Sequence, residues 1–143
     1  MDIRSVMTAN PATCTPDATL RQAAQMMKDH DCGQIPVVGQ DRQPVGVITD
    51  RDIAVRGVAK GFGPDTPVRE LMTNDIVSAR DDDDVEEAAN RMSEAQVRRL
   101  PVIDQDQRLC GIVSLGDLAR ETDEDCAGEA LEGVSQPGGR HQQ

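Results

Sequence analysis

Apolar positions in the first half of the chain run at helical spacing and then at strand spacing, and the second half repeats the sequence of changes. Leu20, Ala23, Ala24 and Met27 stand at i, i+3, i+4 and i+7, as do Val85, Ala88, Ala89 and Met92. That spacing predicts two amphipathic helices, each with one buried stripe. Each stripe follows a capping-box pattern, Thr19-Leu20-Arg21-Gln22 and Asp84-Val85-Glu86-Glu87. In such a box the first side chain accepts from an unpaired backbone N–H and the fourth reaches back. The apolar runs Ile35-Pro36-Val37-Val38 and Leu100-Pro101-Val102-Ile103 read as strands, with the prolines near their starts. Polar turns at 39–43 and 104–107 lead to a second strand in each half, 45–48 and 109–113, apolar on both faces and so expected to be covered on both sides. Further helices open at Thr49 and Ser114. Short helical turns at 3–7 and 68–72 and brief extended pieces at 12–15 and 76–79 complete each half.

The two halves are one pattern displaced by 65 residues. Besides the strands, the offset aligns Met7-Thr8 with Met72-Thr73, Gly46 with Gly111 and Asp52 with Asp117. Many matches in one gapless register mark an internal repeat. The expected organisation is repeat one at 1–58, a linker at 59–66, repeat two at 67–120 and an acidic, disordered tail at 121–143. The stretch 57–66 holds Gly57, Gly61, Gly63 and Pro64, and the tail has no apolar period. One repeat is too small to bury its own apolar faces, so two are expected to pack back to back about a pseudo-two-fold axis.

Composition narrows the function. The chain has 143 residues, with 15 Lys+Arg against 26 Asp+Glu and a net charge of −11, which excludes a general phosphate-backbone binder and opposes an anionic membrane surface. Phe62 is the sole aromatic residue, so no stacking platform for successive bases exists. No run reaches the ~18 apolar residues of a membrane span, and the start lacks a signal-peptide apolar region; the expected location is the cytoplasm. Cys14, Cys32, Cys110 and Cys126 form no CxxC, and three of them read as small core residues. The run Asp81 to Asp84 lacks the spacing and glycine of a calcium loop and reads as a solvated acidic turn. No catalytic constellation is present, and no metal site or enzyme activity is expected.

Gly46-Val47-Ile48-Thr49-Asp50-Arg51-Asp52 and Gly111-Ile112-Val113-Ser114-Leu115-Gly116-Asp117 carry Gly-x-x-(Thr/Ser)-x-x-Asp. With the Met-Thr openings and the hydrophobic-Pro-Val strands, this pattern resembles the CBS domain pair, or Bateman module, over about residues 2–120. The whole chain looks like stand-alone bacterial CBS-pair proteins. The segment Val97-Arg98-Arg99-Leu100-Pro101-Val102 is similar to the nucleotide-binding repeats of the gamma subunit of AMP-activated protein kinase. The resemblance implies an α/β fold of two pseudo-symmetric repeats, each short helix-β-α-β-β-α, that pairs into a homodimer and binds an adenosine nucleotide (AMP, ADP or ATP) in clefts between repeats. It requires no cofactor.

By the same resemblance Asp52 and Asp117 anchor ribose, and Thr49 and Ser114 contact ribose or phosphate. Both acids equally suit an N-terminal helix cap, and the two roles are compatible. Arg98 and Arg99 would line the phosphate side, where their fork geometry fits phosphate oxygens. Repeat one has Gly33 and Gln34 at those positions, so the Asp117 site is expected to be the tighter for phosphorylated ligands. Ile112 with Ala12 and Cys32, and Val47 with Val77 and Val97, would sandwich the base, although all six also suit an ordinary core. The leading expectation is a regulatory ligand-sensing module that signals through a protein effector of unknown identity or through self-association, with a role in stress response. The alternatives are a structural CBS protein with vestigial clefts and a redox- or metal-responsive protein using Cys14, Cys32 or Cys110.

Overall fold

The computed structural model describes residues 1–121, so the expected tail lies outside the described residues from 122 onward. In chain order the elements are β1 (Thr8–Ala9), α1 (Leu20–His30), β2 (Gln34–Val38), β3 (Pro44–Thr49), β4 (Ala79–Arg80), α2 (Val85–Ala95), β5 (Arg99–Ile103), β6 (Leu109–Ser114) and α3 (Leu115–Glu121). Short 3₁₀ turns lie at Ile3–Ser5 and Val68–Glu70, and a π-helical turn at Asp52–Gly57.

The predicted box opens α1: the Gln22 N–H donates to Thr19 Oγ1 at 3.1 Å and the Thr19 N–H to Gln22 Oε1 at 2.9 Å. The matching box at α2 does not form. Asp84 makes no side-chain cap bond, and its carboxylate lies 3.8 Å from the Met1 amine. A full positive charge draws that acid away, while Glu86 and Glu87 in the first turn still favour the helix dipole. Helix α2 buries Val85, Ala88, Ala89 and Met92; α1 buries Leu20, Ala23 and Met27 but leaves Ala24 exposed. Both helices end on a left-handed residue, Asp31 (φ 50°) and Gln96 (φ 58°), again 65 positions apart.

The described chain forms two compact units that do not follow the sequence repeats. One is Ala12–Ile76; the other joins Met1–Pro11 to the chain from Val77 onward. Each repeat thus lends its opening segment to the unit built by the other. In the second of these units the sheet order is β1-β6-β5-β4, with β1 and β5 antiparallel to β6 and β4 parallel to β5. Ile3 is fully buried there among Val85, Met92, Leu100, Val113 and Leu118. In the Ala12–Ile76 unit β2 and β3 form an antiparallel hairpin. Single bridges Val47↔Thr73 and Cys14↔Val37 reproduce the outer positions of the larger sheet. Val68 and Leu71, from the opening of repeat two, are buried with Leu20, Met27, Ile35 and Ile48.

Gly46 and Gly111 make room for the lent segments. A Cβ on Gly111 would stand 2.9 Å from the Thr8 carbonyl oxygen and 2.5 Å from Met7 Sδ; one on Gly46 would stand 2.8 Å from the Thr73 carbonyl oxygen and 3.0 Å from Met72 Sδ. A methionine can swing aside, but a paired backbone carbonyl cannot. Gly46→Ala and Gly111→Ala are each expected to destabilise the fold by about 1–3 kcal/mol, read as a lower denaturant midpoint. Alanine at Gly63, where nothing lies within 4 Å of the added carbon, should leave the midpoint within about 0.5 kcal/mol.

Candidate functional site

Each unit carries one strand-to-helix box. In the Ala12–Ile76 unit the Thr49 N–H donates to Asp52 Oδ2 at 3.1 Å and the Asp52 N–H to Thr49 Oγ1 at 3.0 Å. In the other unit the Ser114 N–H donates to Asp117 Oδ2 at 2.9 Å and the Asp117 N–H to Ser114 Oγ at 3.1 Å. The acid closes the helix entry reciprocally, as the capping alternative anticipates. Asp52 is only 3% exposed, and its Oδ1 lies 3.8 Å from Arg56 Nε. Asp117 is half-buried.

The residue opposite each box differs. Antiparallel register sets Gln34 against Thr49 and Arg99 against Ser114, and directly opposed residues project from the same face. Arg99 is half-buried and Arg98 exposed, and the Arg98 carbonyl accepts from the Leu115 N–H at 2.8 Å. The matching Gly33 carbonyl accepts from the Asp50 N–H at 2.9 Å. A side chain at Gly33 would meet the Asp50 carboxylate at 2.9 Å. Gln34 is 3% exposed, and among the described residues neither its Nε2 nor its Oε1 has a hydrogen-bond partner. The sequence marks Gln34 as a departure from Arg99; nothing in it signals an unsatisfied amide.

The structure therefore gathers Thr49, Asp52 and Gln34 in one unit and Ser114, Asp117, Arg98 and Arg99 in the other. Of the predicted base contacts, Ala12, Cys32 and Val47 belong to the first of these and Ile112, Val77 and Val97 to the second. Val47 and Val97 are fully buried, Val97 within its unit's apolar core; Ala12, Cys32, Val77 and Ile112 are half-buried.

Two of the thiols, Cys14 and Cys110, are held in the protonated form. Burial pushes the Cys14 thiol up to about 11. Burial also raises Cys110, with Asp81 and Asp104 adding to it and its own backbone bond and Arg4 opposing. A protonated thiol is a poor nucleophile and a poor metal ligand. Among the described residues no three His, Cys, Asp or Glu side chains gather where they could hold a metal ion, and no helix is long and apolar enough to cross a membrane.

The profile of the CBS domain matches residues 3–57 and 68–124. Among curated proteins, the CBS domain-containing protein YhcV of Bacillus subtilis is 43% identical over 134 residues, covering 93% of this chain and 94% of its own. Hypoxic response protein 1 of Mycobacterium tuberculosis is 37% identical over 135 residues, covering 94% of each. Among solved structures, Hypoxic Response Protein I with two coordinated zinc ions has a TM-score of 0.79 at 38% identity, over 86% of this chain and 100% of that one. CBSX2 of Arabidopsis thaliana in complex with AMP has a TM-score of 0.73 at 27% identity, over 84% and 94%. The CBS domain pair of MJ0100 with 5′-methylthioadenosine and S-adenosyl-L-methionine has a TM-score of 0.75 at 27% identity, over 85% and 94%.

The raised Cys14 thiol gives a direct prediction. With a maleimide at neutral pH, followed by peptide mass spectrometry, Cys14 in the folded protein should react at least about tenfold more slowly than in the denatured chain. Equal rates would revive the redox alternative.

Proposed function

The chain belongs to the CBS domain family, and from that premise we propose that it is a non-catalytic regulatory module that senses adenosine nucleotides. The observation that carries the reading is the duplicated strand-to-helix box, Thr49 with Asp52 and Ser114 with Asp117. In this reading the carboxylate that closes the helix entry also meets the vicinal ribose hydroxyls. Two CBS-pair relatives of the same fold are described in complex with AMP or with adenosyl sulfur compounds, which supports the ligand class. At the Ser114–Asp117 box Arg99, with Arg98 beside it, adds charge-assisted bonds to phosphate. Across a chain of net charge −11, these local cations decide where an anion settles.

A thermal-shift panel of AMP, ADP, ATP, S-adenosylmethionine and NADH tests the reading. A ligand at 100 times its dissociation constant adds about 2.7 kcal/mol and should raise the melting midpoint by several degrees. A flat response across millimolar ligand would favour vestigial sites. In calorimetry, Arg99→Ala should weaken AMP about tenfold or more and adenosine far less; equal losses for both would place the phosphate elsewhere.

We also propose a homodimer. The residues after the two boxes include the apolar Ile53, Ala54, Val55, Leu118 and Ala119, which by sequence are expected to form its interface; of these Leu118 does not qualify, because it is fully buried in the apolar core of its own unit. Ala54 and Val55 are exposed, joined by Val58 and Phe62. Light scattering should give about twice the 15.5 kDa chain mass, and Val55→Asp with Val58→Asp should halve it. A wild-type monomer at micromolar concentration would overturn the dimer.

A further inference from the structure

Gln34 is the one described side chain whose buried amide lacks any partner, and it lies beside a ligand box. Neither Nε2 nor Oε1 is satisfied among the described residues, at 3% exposure. The residue sits at the start of β2, opposite Thr49, whose hydroxyl accepts from the Asp52 N–H. Native folds satisfy nearly all buried polar groups, because an unmade bond forfeits the hydration given up on burial. An aliphatic side chain would suit this strand better, since every residue of β2 is buried.

We infer that the Gln34 amide is a ligand contact, and that the Thr49–Asp52 box takes an uncharged nucleoside edge that offers a donor and an acceptor side by side. The inference rests on the nucleoside-binding reading above and gives the two boxes different ligand chemistry. A carboxamide presents one acceptor oxygen and two N–H donors. The amino and ring-nitrogen edge of a purine matches both at once. A phosphate matches only the donors and would set its own oxygens against Oε1.

The surrounding charges agree. The equivalent register position in the other unit holds Arg99 opposite Ser114, where a phosphate finds a cation. On the Gln34 side, Asp52 closes the box, and the Asp50 carboxylate, whose Oδ1 accepts from the Arg51 N–H, lies against the neighbouring Gly33. The nearby cation Arg56 already lies 3.8 Å from Asp52. This environment offers a phosphate repulsion at Asp50 and a neutral base a matched pair of hydrogen bonds.

Calorimetry with adenosine and with AMP on the full chain and on Gln34→Leu, together with the melting midpoint of each protein without ligand, tests the inference. Leucine removes both unsatisfied atoms at similar volume. The unliganded midpoint of Gln34→Leu should therefore rise by a few degrees, while its adenosine affinity at this box falls about tenfold. Gln34→Arg, which places the other box's residue here, should shift preference toward AMP. A lower midpoint for Gln34→Leu would mean that the amide is satisfied in solution and structural, which overturns the inference. Wild-type adenosine affinity in Gln34→Leu, with loss in Asp52→Ala, would overturn it and leave the nucleoside reading standing. A wild-type protein that takes up neither adenosine nor AMP at millimolar concentration would overturn both.

Discussion

The close approach of backbone to backbone at Gly46 and Gly111 is the constraint on which the rest of this fold depends. At each glycine a Met-Thr segment from the opposite repeat lies so near that a single methyl group would strike a carbonyl oxygen. That contact seats Ile3 in one core and Val68 with Leu71 in the other. Fully burying a side chain of this size contributes about 1.5–3 kcal/mol, so each core draws on residues that belong, by sequence, to its counterpart. The strand carrying each glycine runs on three residues to the Thr49 or Ser114 box. The glycine therefore fixes the strand from which the site is built.

The boxes set one pattern in two different surroundings. Their reciprocal hydrogen bonds agree within about 0.2 Å, and each has the same backbone bond from the first helical residue to the carbonyl opposite. What differs is peripheral: Gln34 for Arg99, Gly33 for Arg98, Asp50 for Leu115. The scaffold holds the geometry of the box constant while neighbouring side chains set its charge. The helix that follows differs too. A π-helical turn after Asp52 sets Gly57 against Leu71 and Leu20, where a Cβ would come within 3.1 and 3.4 Å, whereas α3 after Asp117 is regular.

Much of this was legible in the sequence, for definable reasons. The capping-box pattern and periodicity located the starts of α1 and α2, and the 65-residue offset aligned both hairpins; the structure adds that the irregularity in register repeats at the same offset, Val37/Val38 and Val102/Ile103. The exchange of opening segments was not legible. A repeat pattern shows that Ile3 and Val68 are apolar partners for some core, but it reads identically whether each enters its own or the other's. Asp84 misled for an electrostatic reason: a carboxylate able to cap α2 found the Met1 amine. Leu118 misled because a helix this short shows too few turns to tell its inner face from its outer. At Gln34 the residue type was visible, whereas the lack of a partner is a property of surroundings that only three dimensions supply.

The lent segment also dictates the order in which the molecule can assemble during synthesis. Thr8 pairs with Ile112, so a segment made early docks on a strand made about a hundred residues later. Until then Ile3, Val6 and Met7 have no core to enter. Ala12–Ile76 contains all the parts of its own unit and can close while translation continues. The amino-terminal arm must wait, a long-range contact whose loop-closure cost is met last. A nascent chain stalled before β6 is thus a folded unit trailing an apolar arm, whose exposed Ile3, Val6 and Met7 favour aggregation.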